Sequence, residues 1–288
     1  MAEISAAMVM KLRKISGQGM MDCKKALQET DGDIDQAMDL LRKKGLATLA
    51  KRAERDTSEG LVVSKIGPDG KTAIMATLCC ETDFVAKSDD FIAAAQTLAN
   101  FALACKADEG VENVLETSAD GRKFSDVLTE IVSKTGEKTQ VGDYAKYTLD
   151  GPGLIGTYIH FNEKVGTMVQ IETGDEAMAA VDALKQTAAD LAMHITATKP
   201  LALDKDQIDP EIIEREKAIF AEQVKNKPAN IIDKIVEGKI KKFYTENCLL
   251  QQPFVKDDSK SVEQVLAEAA KQAGGEAKIK RFVRFEVG

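Results

Sequence analysis

Apolar residues recur at helical spacing in the first part of the chain and form strand-like runs after it. Met8, Leu12 and Ile15 lie on one side of a predicted first helix. Gly17 follows them, and glycine readily adopts the left-handed backbone conformation that ends a helix. The pattern therefore predicts that the chain opens with short helices and not with a sheet.

Two further helices are predicted before the first strand-like run. Asp22 and Asp33 are their expected N-caps, because a short carboxylate accepts hydrogen bonds from the free N–H groups of a first turn. Gly45 is expected to end the third helix. Residues 1–50 are thus predicted to form a three-helix domain that resembles a ubiquitin-associated (UBA) domain, and residues 51–59 a linker or a solvated helix.

The next pattern is a strand followed by a helix. Residues 72–79 form an apolar, partly β-branched run after the turn at residues 67–70, which predicts a strand. Asp89 opens an apolar-periodic segment that reaches Ala104, which predicts a helix. Phe84 falls between the two, in a predicted junction loop, where a large apolar side chain either fills the core or anchors a partner.

This strand–helix unit occurs twice in the chain. A shift of 93 residues aligns Gly60 with Gly153 without a gap through the following strand and helix. The same shift places Ala177 at the position of Phe84. If both copies pack alike, the fold needs no large side chain there, which favours partner contact for Phe84.

A second register completes the repeat. A shift of 138 residues aligns Tyr144 with Phe282, so the second copy carries an insertion at about residues 201–260. The repeat predicts two core copies, residues 60–150 and residues 151–288, each with a strand hairpin, a long helix, a second helix and a closing strand. The predicted class is α+β with antiparallel sheets.

The insertion is predicted to be helical. Pro210 fits the first turn of one amphipathic helix, and a break near Pro228 precedes a second helix with an apolar stripe from Ile231 to Phe243. Two such helices joined by a short turn form an antiparallel hairpin. The hairpin is either a docking or dimerisation device or an excursion packed on its own domain, and a homodimer through the hairpin or the core is one possibility.

The composition argues against several classes of protein. The 288 residues carry a formal net charge of −8, whereas direct nucleic-acid binding needs an excess of Lys and Arg. No apolar run approaches the ~20 residues of a membrane span, so no membrane association is expected. Five cysteines without framework spacing are typical of reduced thiols. With no targeting segment at the acidic start, a bacterial cytoplasm is the expected compartment.

Several motifs for cofactors and metals are incomplete. Residues 151–156 match a dinucleotide-binding glycine pattern, but a strand pattern follows where a helix is required. Asp31, Asp33 and Asp35 resemble the start of a calcium loop that lacks its glycine and its bidentate glutamate. The cysteines and histidines have no zinc-ligand spacing. We therefore expect no cofactor, no metal and no catalytic constellation.

Five motifs carry a family resemblance. They are Gly19–Leu27, Glu81–Lys87, Ala192–Ile195, Lys239–Tyr244 with Gln252–Val255, and Arg281–Val287. In this order they resemble translation elongation factor Ts of the bacterial type, over the whole chain. The resemblance implies a UBA-like N-terminal domain, a duplicated α+β core and an inserted helical hairpin. Ser88 departs from the common asparagine, and some members continue beyond the equivalent of Gly288 into a C-terminal module, whose loss would reduce affinity.

The resemblance also implies a function. Members act as guanine nucleotide exchange factors for elongation factor Tu, in its GDP-bound and nucleotide-free states. They promote GDP release during translation elongation by disturbing the Mg²⁺ and phosphate site, without covalent chemistry. The family pattern implies ten partner-binding residues in this sequence: Thr82, Asp83, Phe84, Val85, Met20, Met21, Lys24, His160, Phe254 and Val255. Phe84 is expected to wedge between helices of the nucleotide domain, with Asp83 beside it.

Each of these assignments has a purely structural alternative. Met20 and Met21 could fill the core of the small domain, and Lys24 could be a solvated charge. His160 could be an ordinary surface residue of a strand, and Asp83 a helix cap. His194 lies in a family motif but is predicted to be a core residue.

Two other classes of function stay open at this point. The three-helix domain alone suggests a ubiquitin-type adaptor, which leaves the duplicated core unexplained. An enzyme with its pocket between the two repeats would need clustered perturbed carboxylates or a cofactor, and the sequence shows neither.

Overall fold

The computed structural model describes residues 4–119 and 121–288. The chain opens with three helices: α1 Ala6–Ser16, α2 Met20–Glu29 and α3 Ile34–Lys51. Gly17 closes α1 in the left-handed conformation and Asp33 caps α3, as the pattern predicted. Their facing sides form a small apolar core of Val9, Leu12, Cys23, Ala26, Leu27, Ala37 and Leu41.

The predicted N-cap of α2 is wrong. The helix begins at Met20 with Gly19 as its cap, and Asp22 lies within the first turn. There its carboxylate pairs with Lys44 of α3. An acidic residue in a first turn is still favourable, because it lies close to the positive end of the helix dipole.

The predicted end of α3 at Gly45 is also wrong. The helix continues to Lys51, and Gly45 is buried where α3 crosses α7 (Phe124–Thr135). A Cβ atom at Gly45 would lie 2.6 Å from the carbonyl oxygen of Thr129. Glycine is needed here because two helix backbones approach closely, and not because a helix ends.

The first repeat is a three-stranded antiparallel sheet with helices on one face. Its strands lie in the order β1-β2-β5, and α5 packs across β1 and β2. The elements are β1 Glu59–Ile66, β2 Thr72–Cys80, α4 Asp83–Ala86, α5 Asp89–Ala104, α6 Val111–Glu116, β3 Ser118–Ala119, β4 Arg122–Lys123, α7 and β5 Thr139–Thr148.

The second repeat has the same plan, with strand order β6-β7-β10. Its long helix α9 packs on β6 and β7, and α12 packs on α9. The elements are β6 Gly153–Ile159, β7 Val165–Thr173, α8 Glu176–Ala180, α9 Asp182–Thr198, α12 Val262–Gln272 and β10 Ala277–Glu286.

The strand registers show that the sequence repeat is a structural repeat. Gly60 pairs with Cys79 in the first sheet, and Gly153 pairs with Glu172 at the matching position of the second. Likewise the pair Ala76–Tyr144 matches the pair Val169–Phe282. The predicted α+β class with small antiparallel sheets is confirmed. We keep 1–50, 51–59, 60–150 and 151–288 as a proposed division of the chain.

The two sheets pack face to face. Met75 and Met168 lie in the layer between them, with the ring of Tyr147 under the guanidinium of Arg281 at 3.9 Å. The helices cover the two outer faces. A central strand such as β2 is therefore buried on both faces, which explains why its sequence is a continuous apolar run and not an alternating one.

The insertion contains the predicted helical hairpin. Its helices are α10 Pro210–Gln223 and α11 Ala229–Asn247, packed side by side over Ile213 and Ile240. Pro210 occupies the first turn, as predicted. Short elements connect the hairpin to the sheet: 3₁₀ turns at Lys205–Gln207 and Leu249–Gln251, and strands β8 Pro253–Phe254 and β9 Asp257–Ser261.

Candidate functional site

Phe84 lies on a helical turn and not in a loop. The four residues of α4 form one turn, in which the Thr82 hydroxyl caps the N–H of Val85 at 3.4 Å. Ala86 is buried, and Val85 packs against the core of the first repeat. The Phe84 side chain is 83% exposed. The turn is anchored by its other side chains, so packing within the chain does not account for this aromatic ring.

Asp83 is beside Phe84 and is not the helix cap. Its carboxylate pairs with the Lys87 ammonium at 2.8 Å, one turn later. The hydrogen bond from Lys87 lowers the pKa of Asp83. A negative charge is thus fixed next to the exposed ring, and the capping role considered for Asp83 belongs to Thr82.

Groups from distant segments of the chain hold Glu81 and Thr82, the two residues that precede the turn. Glu137 accepts hydrogen bonds from the backbone N–H of Thr82 at 3.0 Å and from its hydroxyl at 2.8 Å. Glu81 accepts two from the Arg52 guanidinium, at 2.8 and 2.7 Å. Burial opposes ionisation of Glu81, but hydrogen bonds from the Lys138 N–H and Arg52 outweigh it and lower its pKa. Thr82 is therefore a support of the turn.

The β6–β7 turn of the second repeat carries another exposed aromatic side chain. Phe161 is 88% exposed, and its ring centroid lies 4.3 Å from that of His160. His160 lies one residue beyond the end of β6, where its Nδ1 is 3.2 Å from the Tyr158 hydroxyl. Sequence reasoning missed Phe161. The available signal was a phenylalanine in a short hairpin turn, where glycine and polar residues are usual.

Phe84 and Phe161 lie on the same edge of the double sheet. Lys164, at the end of the β6–β7 turn, pairs with Glu59 at 2.6 Å, and Glu59 is opposite Cys80, at the end of β2 before α4. The carbonyl of Glu163 also accepts a hydrogen bond from the N–H of Val62 in β1, at 2.7 Å. We call the surface formed by Phe84, His160 and Phe161 the aromatic edge.

The small N-terminal domain presents a second group of predicted residues. Met20, Met21 and Lys24 are exposed on the outer side of α2, whereas Cys23 and Leu27 face the core. The alternative that the two methionines fill this core is therefore wrong. Exposed methionines are flexible and polarizable, which suits them to contact with another protein.

Phe254 is not a surface residue. Its side chain is 5% exposed and lies in the core of the second repeat, with its ring stacked at 5.7 Å on that of His194. The ring of Phe254 therefore offers little surface to a partner in this structure, and its role as a partner contact stays a prediction. Val255, the next residue, is half exposed and stays a candidate contact.

His194 is a core residue, as predicted. Its Nδ1 accepts a hydrogen bond from the N–H of Val255 at 3.1 Å, and its Nε2 lies 2.9 Å from Oε1 of Gln252. This arrangement fits a neutral ring with the proton on Nε2. Burial lowers the pKa of His194, although the hydrogen bond to Gln252 opposes the shift.

Other kinds of site are not visible among residues 4–119 and 121–288. No group of three or more His, Cys, Asp and Glu side chains in these ranges could hold a metal ion. No helix in the same part of the chain has the length and apolar character needed to cross a membrane. The glycines at 151–156 lead directly into strand β6, so they do not open a helix for a phosphate group.

The model of the family described as elongation factor Ts matches residues 81–288, from the residue before Thr82 to the end of the chain. The chain belongs to the elongation factor Ts family. It is 46% identical to elongation factor Ts of Nitratiruptor sp., across 99% of this chain and 93% of that protein. It is 43% identical to that of Alkalilimnicola ehrlichii, with similar coverage, and 40% identical to that of Chlorobium phaeobacteroides, with full coverage of both chains.

Membership of the elongation factor Ts family makes this chain a translation elongation factor, with a role in protein biosynthesis. The family motifs differ in what they do in the fold. Ala192–Ile195 lies in α9 with its side chains mostly buried, and Arg281–Val287 closes the second sheet as β10. Glu81–Lys87 and Gly19–Leu27 instead present exposed side chains. Val255, in the motif Gln252–Val255, is also exposed, so three of the five motifs offer apolar groups for a partner.

Proposed function

We propose that this factor promotes release of GDP from elongation factor Tu, and that Phe84 is the main contact that does so. The observation that carries the proposal is the ring of Phe84, which stands 83% exposed on an anchored helical turn. Its neighbours in the turn are held by the core and by two carboxylates. The ring can therefore enter a cleft of the nucleotide-binding domain without first being ordered.

The free energy available from this contact is large enough. Fully burying a phenylalanine side chain contributes about 1.5–3 kcal/mol before the costs of association. Contacts of this kind are typical hot spots of protein interfaces. If the cleft opens only when Mg²⁺ and the phosphates are disturbed, binding of this factor and binding of GDP weaken each other by the same factor.

Other residues, some exposed and some half-buried, would extend the contact. His160 and Phe161 share the aromatic edge with Phe84, and Asp83 places a negative charge beside the ring. Met20, Met21 and Lys24 offer a second contact through the N-terminal domain, and Val255 a third. Thr82 and Val85 would contribute to the contact indirectly, because their side chains cap and anchor the turn that carries Phe84.

The proposed activity needs no covalent chemistry. The factor acts as an exchange factor and not as an enzyme in the strict sense, since binding energy alone changes the affinity of the partner for its nucleotide. We also propose the cytoplasm as its compartment, since translation takes place there.

The ubiquitin-type adaptor is the weaker candidate. Three helices between Ala6 and Lys51 are the feature that suggests it. That reading assigns no role to the aromatic edge, which lies in the duplicated core. In an NMR titration, ubiquitin should leave the spectrum of the isotope-labelled protein unchanged. Binding of ubiquitin at micromolar concentration would instead support the adaptor function.

The experiment measures loss of a fluorescent GDP from elongation factor Tu with and without this protein. We expect acceleration by the wild type and a reduction of at least about 30-fold in exchange efficiency for Phe84→Ala, which corresponds to about 2 kcal/mol. Thermal unfolding of the variant should stay close to that of the wild type, since the ring is largely exposed in the free protein.

Ala177→Phe is the matched control for this experiment. It adds the same ring to the equivalent helical turn α8 of the second repeat, where Ala177 is exposed. We expect no change in exchange. Absence of acceleration by the wild type would overturn the proposed function, and a large fall in the melting temperature of Phe84→Ala would assign the ring to the core.

A further inference from the structure

Repeat two forms the same helical turn as repeat one without the two carboxylates that hold it there. Asp175 caps α8 as Thr82 caps α4, with the same spacing in the chain. The positions of Glu81 and Glu137 are occupied by Gly174 and Gly275 in repeat two. The carboxylates are therefore not required for forming the turn itself.

Different groups fill the space behind the two turns. A Cβ atom at Gly275 would lie 2.6 Å from the sulfur of Met178, so this methionine occupies the space where a longer side chain at position 275 would begin. In repeat one the residue at the place of Met178 is the shorter Val85, and the carboxylate of Glu137 reaches Thr82 instead. In repeat two the apolar side chain of Met178 lies behind the turn that carries Ala177. In repeat one Glu137 and the Arg52–Glu81 pair, which we call the clamp, hold the turn that carries Phe84.

The clamp also connects the N-terminal helices to the turn. Arg52, the residue after α3, donates both of its short hydrogen bonds to Glu81. Lys138 donates its backbone N–H to Glu81 at 2.7 Å and its ammonium to the carbonyls of Ala53 and Arg55 at 2.7 and 2.9 Å. The end of α3, the loop before β5 and the Phe84 turn thus form one hydrogen-bonded unit.

We propose that Glu137 and the Arg52–Glu81 pair are positioning residues, which hold the Phe84 turn in the orientation that enters the nucleotide-binding domain of the GTPase partner. The inference rests on the proposed function. A contact residue held in its bound conformation loses less conformational entropy on association. More of the contact free energy of Phe84 then remains for weakening the nucleotide.

Two pairs of variants test the clamp. Glu137→Gly copies repeat two and removes both acceptors, whereas Glu137→Gln keeps one acceptor oxygen. Arg52→Ala removes the guanidinium, whose Nη1 donates to both oxygens of Glu81, whereas Arg52→Lys keeps a positive charge that can still donate to the carboxylate. We expect the first variant of each pair to raise the half-saturating concentration of factor by about tenfold, the size expected for charge-assisted hydrogen bonds. The conservative variants should lose less.

Arg42→Ala is the matched control. Arg42 also joins α3 to the core, through Asp126 of α7, but it does not reach the Phe84 turn. We expect this variant to exchange nucleotide like the wild type. The maximal exchange rate of the clamp variants should stay within about threefold of the wild type, because the turn still adopts its pose once bound.

The double variant Phe84→Ala with Glu137→Gly separates positioning from general stability. If the clamp acts through Phe84, its removal should cost nothing further once the ring is absent. Amide hydrogen exchange at residues 83–86 should increase in Glu137→Gly, while the melting temperature changes little.

Three outcomes are decisive for the inference. Clamp variants that exchange like Arg42→Ala would overturn it while the effect of Phe84→Ala leaves the proposed function intact. Additive losses in the double variant, or a fall in melting temperature that accounts for the loss, would also overturn it. A wild-type protein without exchange activity would instead remove the proposed function on which the inference rests.

Discussion

The double sheet has two equivalent edges with the same backbone and different side chains. At the aromatic edge, α4 lies beside the β6–β7 turn, and the exposed groups are Phe84 and Phe161. At the opposite edge, α8 lies beside the β1–β2 turn, where Lys71 pairs with Glu176 at 2.7 Å. The residues that match the two phenylalanines there are Ala177 and Pro68.

This comparison separates what the fold requires from what a partner would require. The opposite edge shows that the turn and the hairpin form without aromatic side chains. Exposed rings give the isolated chain no burial energy, so their presence on one edge is not a packing effect. Phe84 lies in repeat one and Phe161 in repeat two, so the aromatic edge forms only where the two repeats pack together.

The two repeats differ at their edges, but we expect matching core positions to contribute equally to the free energy of unfolding. The largest expected effect tests this equivalence. Met75 and Met168 occupy matching positions between the sheets, and both are fully buried. We expect Met75→Ala and Met168→Ala each to lower the free energy of unfolding by about 2–5 kcal/mol. Chemical denaturation measures both, and a loss confined to one variant would show that the repeats contribute unequally to this layer.

Phe161→Ala tests the second ring of the aromatic edge. We expect about a tenfold loss of exchange efficiency, smaller than for Phe84→Ala, because an interface residue near the rim contributes less than a central one. Pro68→Ala at the opposite edge is the control and should leave exchange unchanged. The same fluorescent GDP assay measures both, and an inactive Pro68→Ala would contradict the assignment of function to one edge.

The smallest expected effect concerns acid stability of repeat two. His194 is buried at the position that Phe101 occupies in repeat one. Burial lowers the pKa of His194. Its contribution to the free energy of unfolding is therefore fully present above the ordinary histidine pKa of about 6.5, where the unfolded chain is also neutral at this residue. Stability should fall as the pH drops from that value towards the lowered pKa, since the unfolded chain then binds more protons.

The measurement compares thermal unfolding of the wild type and of His194→Gln between pH 5 and about pH 8, the window around the ordinary histidine pKa. The wild type should lose more stability at the acid end than the variant, which lacks this proton-binding group. Equal pH dependence in the two proteins would show that His194 takes up no proton on unfolding in this window.

Much of the fold was accessible from local patterns. The start and end of α5 at Asp89 and Ala104, the Asp33 cap and the hairpin helices follow from short-range spacing and capping, because these interactions lie within a few residues. The repeat also predicted equivalent strand pairing, which the registers confirm. Ala177 at the matching position of repeat two favours an exposed Phe84, and the side chain is 83% exposed.

The errors came from positions where distant segments meet. Gly45 was interpreted as a helix end because its close approach to α7 involves a residue more than eighty positions later. The burial of Phe254 was not predicted, because its ring stacks on His194 and that contact is not encoded in its own segment. Phe161 was overlooked because it matters only where its turn meets β1.

Local patterns predicted most of the long helices and strands, the duplication and the family, because periodicity, caps and ordered motifs are properties of neighbouring residues. The folded chain places Phe84, His160 and Phe161 at one edge of the double sheet. It also brings Glu137 and the Arg52–Glu81 pair to the residues that precede Phe84. These arrangements depend on pairing between segments that are distant in the chain. Such pairing is decided by the packing of the two sheets, and no local pattern records it.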